Sequence, residues 1–185
     1  MTHAALRRVL GLAWLLGAGA ALYLALFHRD VIVDRLRAAS AESLVAGGAF
    51  YLLLGCLRGF TLIPATSLVL IGMMFFPPAS LFVLTLVGIL VSSASIFYFA
   101  EALHLDELLL ARHARRIDRV RALLDRYGLP IVIGWAFFPL APTDLIVYLA
   151  GVVRMRAWMC LLGVAIGEGG ICAIYIFGGD WLLRR

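Results

Sequence analysis

The chain has 185 residues, of which 64% are hydrophobic, and its mean hydropathy is +1.02. Soluble domains use apolar residues for about half their length, so this composition excludes an ordinary soluble domain and points to a polytopic helical membrane protein folded as one domain, 1–185. The net charge of +5 comes from 16 basic residues, all arginine. In an apolar chain such charge marks cytoplasmic loops and anionic lipid surfaces. No aromatic-interleaved basic run points to nucleic acid.

Arg7 and Arg8 precede an apolar run, residues 9–27. Ala18-Gly19-Ala20 has the small-residue pattern of a signal-peptide cleavage site. The run stays apolar for seven residues beyond it, and is expected to be an uncleaved anchor helix with a cytoplasmic N-terminus. Residues 28–44 mix Val31, Ile32, Val33 and Leu36 with Asp34, Arg35 and Arg37, as a short surface helix would.

Residues 45–76 are apolar but punctuated by Gly47, Gly48, Gly55, Arg58, Gly59, Pro64 and Gly72. Pro77-Pro78 then forces a turn. Residues 79–103 read as a full span, with Gly88, Ser92, Ser93, Ala94 and Ser95 forming a close-packing face. Residues 104–127 place leucine, isoleucine and valine at helical spacing between six arginines. This predicts an amphipathic basic helix on the cytoplasmic membrane surface, stopped by Gly128 and Pro130.

Trp135 to Gly151 is apolar, yet carries Pro139, Pro142 and Asp144. Prolines three apart remove backbone donors and clash with the preceding turn. Broken backbone at membrane depth survives only against protein or a watery cavity. A broken or re-entrant helix is therefore expected, with Asp144 near its turn. Residues 157–179 form the last span, with Glu168 among Gly163, Gly167, Gly169 and Gly170.

The two broken stretches align. Arg58 precedes Pro64 by six positions, as Ala136 precedes Pro142. Gly72 precedes Gly88 by sixteen, as Gly151 precedes Gly167. The expected architecture is all-α, with two inverted repeats, 31–103 and 104–181, behind the anchor helix. Each repeat comprises a surface helix, a re-entrant proline-broken hairpin and a full span. Transporters of this design bind substrate near the midplane between repeats. Counting spans at 9–27, 79–101 and 157–179 leaves ten arginines inside and five outside.

These residues resemble the DedA family, also called the VTT-domain or SNARE-associated family. The resemblance rests on Arg58-Gly59-Phe60-Thr61-Leu62-Ile63-Pro64 with Gly72, and on Phe138-Pro139-Leu140-Ala141-Pro142-Thr143-Asp144 with Tyr148 and Gly151. It covers about residues 40–180. It implies two opposed re-entrant hairpins and lipid flipping or scrambling, including that of polyprenyl-phosphate carriers in bacteria. The chain departs from the family pattern at Ala136, where an arginine is usual, at Asp144, where asparagine is common, and at Thr66, where many members carry an acid.

Candidate substrate-binding residues are Arg58, Thr61, Pro64, Thr66, Pro139, Pro142, Thr143 and Tyr148. Arginine stays charged and grips phosphate through two parallel hydrogen bonds. Its alternative here is an ion pair with Asp144 or Glu168 that pins the hairpins together. Asp144 either caps a helix N-terminus or carries a proton. Glu168 either pairs with Arg58 or couples transport. Glu101 is expected at the interface, and Tyr98 in packing.

His3, His28, His104 and His113 sit in polar segments, and Cys56, Cys160 and Cys172 lack metal or redox spacing. No metal and no cofactor are therefore expected. Neither HExxH nor GxSxG occurs, so a non-enzymatic role is expected: a lipid translocator or anionic-substrate transporter, with or without proton coupling, in a bacterial inner membrane. The partners implied are membrane lipids bearing anionic or phosphate groups, with a second copy of the chain as a further candidate. The alternative is a non-transporting scaffold or assembly factor.

Overall fold

The computed structural model describes residues 29–61, 65–102, 105–138 and 141–183. The expected anchor helix at 9–27 lies outside them, as do Pro64 and Pro139. Seven helices and no strand occur among the described residues: α1 Arg29–Glu42, α2 Leu44–Thr61, α3 Ala65–Gly72, α4 Pro78–Ala102, α5 Leu105–Phe137, α6 Thr143–Val152 and α7 Ala157–Leu183. Within α4 and α7, Pro78–Glu101 and Ala157–Leu182 are long and apolar enough to cross a bilayer.

Ser43 separates α1 from α2, and its hydroxyl accepts from the Ala46 N–H at 3.0 Å, capping α2. α1 packs back on α2 and buries Leu36 completely. Its Asp34–Arg37 pair, 3.8 Å apart, is exposed and contributes little.

The direction of each helix follows from its contacts. Along α2, Gly48 meets Leu84, Gly55 meets Gly88, and Gly59 meets Ser92 and Ile96. Residue numbers rise together, so α2 and α4 run parallel. Between them, Gly72 at the end of α3 has come back to Tyr51, seven residues before Arg58. Tyr51 also stacks edge-on against Phe76 and hydrogen-bonds Thr85 at 2.8 Å. The chain thus runs along α2, turns back along α3 and runs along α4 in the same direction as α2.

The second half repeats the pattern. Gly128 meets Met155, Gly163 meets Val132, Gly167 meets Ile133 and Ala136, and Gly170 meets Phe137. α5 and α7 therefore run parallel, with α6 returning between them. Against each other, however, α4 and α7 run in opposite directions: Phe82 packs on Phe177, and Leu86 on Gly169.

Two glycines make these interfaces. A methyl group built on Gly88 would lie 3.2 Å from the Gly55 Cα, so α2 and α4 touch backbone to backbone. One built on Gly167 would lie 2.5 Å from the Ile133 carbonyl oxygen. Small residues allow such approach, which dispersion and lipid release then favour.

One expectation is corrected. Gly128 and Pro130 do not stop the basic helix; α5 runs unbroken through both for 33 residues, about 50 Å at 1.5 Å per residue. Gly128 is instead a packing residue, buried under Met155. Pro130 costs the helix one backbone donor, a loss that apolar helices tolerate when neighbours or local adjustment compensate. The basic segment is thus the first part of a helix that continues into the core. Arg119 and Arg126 on it are exposed, and Arg126 lies 5.1 Å from the Tyr127 ring centroid. The side chains of Arg112, Arg115 and Arg116 lie outside the described set.

The turn from α6 to α7 has its own signature. Met155 N–H bonds Ala150 O at 2.9 Å and Arg154 N–H bonds Gly151 O at 3.1 Å. Arg154 between them has φ 58°, the left-handed position that glycine usually fills.

Candidate functional site

The buried ionisable side chains Arg58, Asp144 and Glu168 gather near the middle of α4 and α7. Three features of the chain put them there. α2 ends at Thr61, three residues past Arg58, so Arg58 sits in its last turn. α6 begins at Thr143 after Pro142, so Asp144 falls in its first turn. Glu168 lies twelfth in the 27 residues of α7, one residue after the closest approach of α5.

Arg58 Nη2 stands 2.7 Å from Glu168 Oε1, and the two side chains are 3% and 5% exposed. The Thr143 hydroxyl lies within hydrogen-bonding reach of Glu168. Asp144 is 2% exposed and close enough to interact electrostatically with Arg58 and Glu168. Tyr148, one helical turn along α6, feels the Asp144 charge. With both acids ionised, the three groups would carry one net negative charge.

The ion pair joins the two halves of the molecule: α2 belongs to the first and α7 to the second. Of the two partners open to Arg58 in the sequence, the structure selects Glu168. The capping alternative for Asp144 is only half met. It occupies the first turn, but its Oδ1 makes no hydrogen bond, and Pro142 at the N-cap offers no side-chain acceptor.

Thr66 is half-buried on α3, but Ala65 and Leu68 beside it, not Thr66, line the small space next to Arg58. That space measures about 10 Å³ and is bounded also by Tyr51, Gly55, Thr85 and Ile89. It approaches the size needed for one water. The Thr61 side chain lies outside the described residues. A larger groove, about 660 Å³, runs between the starts of α2 and α4 and is walled by Val45, Gly48, Leu52, Val83 and Leu84.

Two residues of the site were not singled out from the sequence. Trp135 on α5 donates its indole N–H to the Pro142 carbonyl at 3.2 Å, tying the end of α5 to the start of α6. Ser92 on α4 accepts from the Gly59 N–H at 2.9 Å, fixing the backbone beside Arg58. Serine in a small-residue face gives no sign of which hydroxyl will meet a backbone donor, and a tryptophan in an apolar run reads as packing.

Comparison with known proteins gives one match. The VTT domain matches residues 63–181, more than half of the chain, beginning just after Arg58. No curated protein and no solved structure matches. The apolar spans of α4 and α7 agree with the family match: this is a membrane protein, and the chain belongs to the VTT-domain family, whose domain is that of the DedA proteins.

Proposed function

We propose that this protein moves a lipid or another anionic, phosphate-bearing substrate across a bacterial inner membrane, and that it does no covalent chemistry. The observation carrying this reading is a buried arginine, paired across two halves of an apolar molecule, where two broken segments end. Charged groups in such surroundings are costly and mark pathways for substrates or ions.

In this reading α2–α3 and α5–α6 are re-entrant hairpins entering from opposite faces, and each half is one member of an inverted repeat. Support comes from α2 running parallel to α4, α5 parallel to α7, and α4 opposite to α7. Cysteines placed beside Pro64 and beside Pro142 are expected to react with impermeant reagents from opposite sides. Labelling of both from one side would reject the repeat.

The structure then corresponds to a closed state, in which Glu168 occupies the guanidinium that a phosphate group would take. Thr143 and the first turn of α6 stand ready to donate to such a group. With a singly charged phosphate on Arg58 and both acids ionised, the cluster would carry two net negative charges, and each proton taken up by Asp144 or Glu168 removes one. Proton coupling through Asp144 or Glu168 follows from that arithmetic. Reconstituted protein is expected to move labelled phospholipid or polyprenyl phosphate across liposomes, and Arg58→Ala to stop it. Equal activity of the two proteins, or inertness of both across a lipid panel, would overturn the reading.

One observation favours the second reading, a non-transporting scaffold. The Arg58–Glu168 pair is closed and nearly solvent-free, as a permanent clamp between the halves would be. The liposome panel separates the two readings, since a scaffold moves no lipid.

A further inference from the structure

The turn from α6 to α7 carries Arg154 and Arg156, both exposed, on either side of the buried Met155. Met155 packs on Gly128, so the turn lies against α5. Register fixes what else of α5 it meets. Val132 packs on Gly163 and Ala136 on Gly167, thirty-one positions apart each time, in parallel helices. Carried back two turns, the same offset sets Arg156 level with residue 125. Arg121 lies one turn further out.

Arg121 precedes Gly128 by seven residues and so shares the face that the turn covers. Leu124, between them on that face, is 4% exposed, and Arg121 itself is half-buried. One helical turn and a usual interhelical separation put the Arg121 and Arg156 backbones about 10 Å apart. Helical side chains lean toward the helix start, so both lean outward and can close that gap over one anion. Neither forms an ion pair among the described residues.

The level of this group in the membrane follows from α7. It begins at Ala157, directly after Arg156, and is long and apolar enough to cross. Trp158 is 59% exposed, as an interfacial aromatic would be. The arginines therefore stand among lipid headgroups, and the first N–H groups of α7 add their positive dipole end. Two exposed acids share this membrane face among the described side chains. Asp125 is on α5, and Glu101 follows Ala100, which packs on Gly151 just before the turn. Arg119, Arg121, Arg126, Arg154 and Arg156 outnumber them.

We propose that Arg121, Arg154 and Arg156 bind the phosphate of an anionic phospholipid, in the leaflet beside the α6–α7 turn. Guanidinium groups suit phosphate oxygens in shape and charge. The site is twelve residues along α7 from Glu168, about 18 Å, so it is separate from the Arg58 cluster. Net charge selects the lipid. Phosphatidylglycerol brings its phosphate alone, whereas phosphatidylcholine adds an ammonium that the guanidinium groups repel. The bound lipid ties α5 to the α6–α7 turn at the membrane surface. The proposal rests on membrane insertion and not on the transport reading.

Native mass spectrometry of the full chain tests it, with the protein released from micelles holding equal phosphatidylglycerol and phosphatidylcholine. Wild type is expected to retain phosphatidylglycerol in preference. Arg121→Gln combined with Arg156→Gln is expected to cut that preference about tenfold, since each arginine at an anionic surface contributes measurably. Arg119→Gln combined with Arg126→Gln removes the same charge from the same helix, but from the side turned away from Gly128. Its preference is expected to stay near that of wild type. Equal losses in the two double variants would mean a diffuse positive surface and overturn the site. An unchanged preference in Arg121→Gln with Arg156→Gln would overturn it too, as would release of the lipid by millimolar inorganic phosphate, the mark of a free-phosphate site. If the first pair does not fold, Arg154→Gln with Arg156→Gln, both exposed, replaces it with the same expected loss. Absence of lipid transport with phosphatidylglycerol still retained would strike the proposed function and leave this site in place.

Discussion

Replacing Arg58 with alanine is expected to cost about 3–5 kcal/mol of stability, the range seen when one member of a buried ion pair is removed. The cost comes from what is left behind. Glu168 and Asp144 stay buried, with no cation among the described residues within the cluster. A domain is stable by only about 5–15 kcal/mol, so the variant should unfold at clearly lower denaturant in detergent micelles. Removing the acid as well reverses part of the loss, because Arg58→Ala combined with Glu168→Leu replaces both charges with apolar volume. The double variant is therefore expected to be more stable than Arg58→Ala alone while remaining inert in liposomes. Wild-type stability for Arg58→Ala would show that the pair holds nothing together.

Those two measurements separate the clamp from the translocator. A clamp loses its purpose with its stability and regains it when stability returns. A phosphate site loses its guanidinium in both variants, so transport stays absent in the stable one. The same side chain thus answers two questions, provided that stability and transport are measured on the same preparations.

Much of this arrangement could be read from residue order, and the reasons are local. Pro64, and Pro139 with Pro142, disfavour helix at their positions, so interruptions before α3 and α6 are expected from residue order, although Pro130 shows that packing can override a single proline. Asp144 follows Pro142 by two positions, which fixes its place in a first turn. The matching sixteen-residue glycine spacings reflect matching interfaces: Gly88 meets Gly55, and Gly167 meets Ile133 at the corresponding place in the second half. What residue order did not reveal depends on tertiary rotation. Whether Arg58 takes Asp144 or Glu168 turns on how α7 presents its face. Gly128 and Pro130 looked like a stop because each weakens a helix on its own. Packing of Gly128 against Met155 outweighs that weakness, and no local rule reports it.

Gly167 is where substitution should do most damage for its size. A single methyl group there meets the Ile133 carbonyl oxygen at 2.5 Å, Ala136 Cβ at 2.8 Å and the Phe137 nitrogen at 3.1 Å. Two of these three are backbone atoms, which cannot rotate away, so relief requires α5 and α7 to part. Overpacking of a tight core costs about 1–3 kcal/mol, and a backbone obstacle places Gly167→Val at or above the upper end. Parting the helices also moves the neighbouring Glu168 away from Arg58, so transport should fall before the fold is lost. Gly178 on the same helix gives the control, since no atom lies within 4 Å of a methyl group built there. Gly178→Ala is expected to match or slightly exceed wild-type stability, because alanine is the better helix former. Gly167→Ala should unfold at lower denaturant than Gly178→Ala and transport more slowly. Equal behaviour of the two would mean that α5 and α7 do not meet at this glycine, and the parallel pairing that brings Glu168 to the site would have to be redrawn.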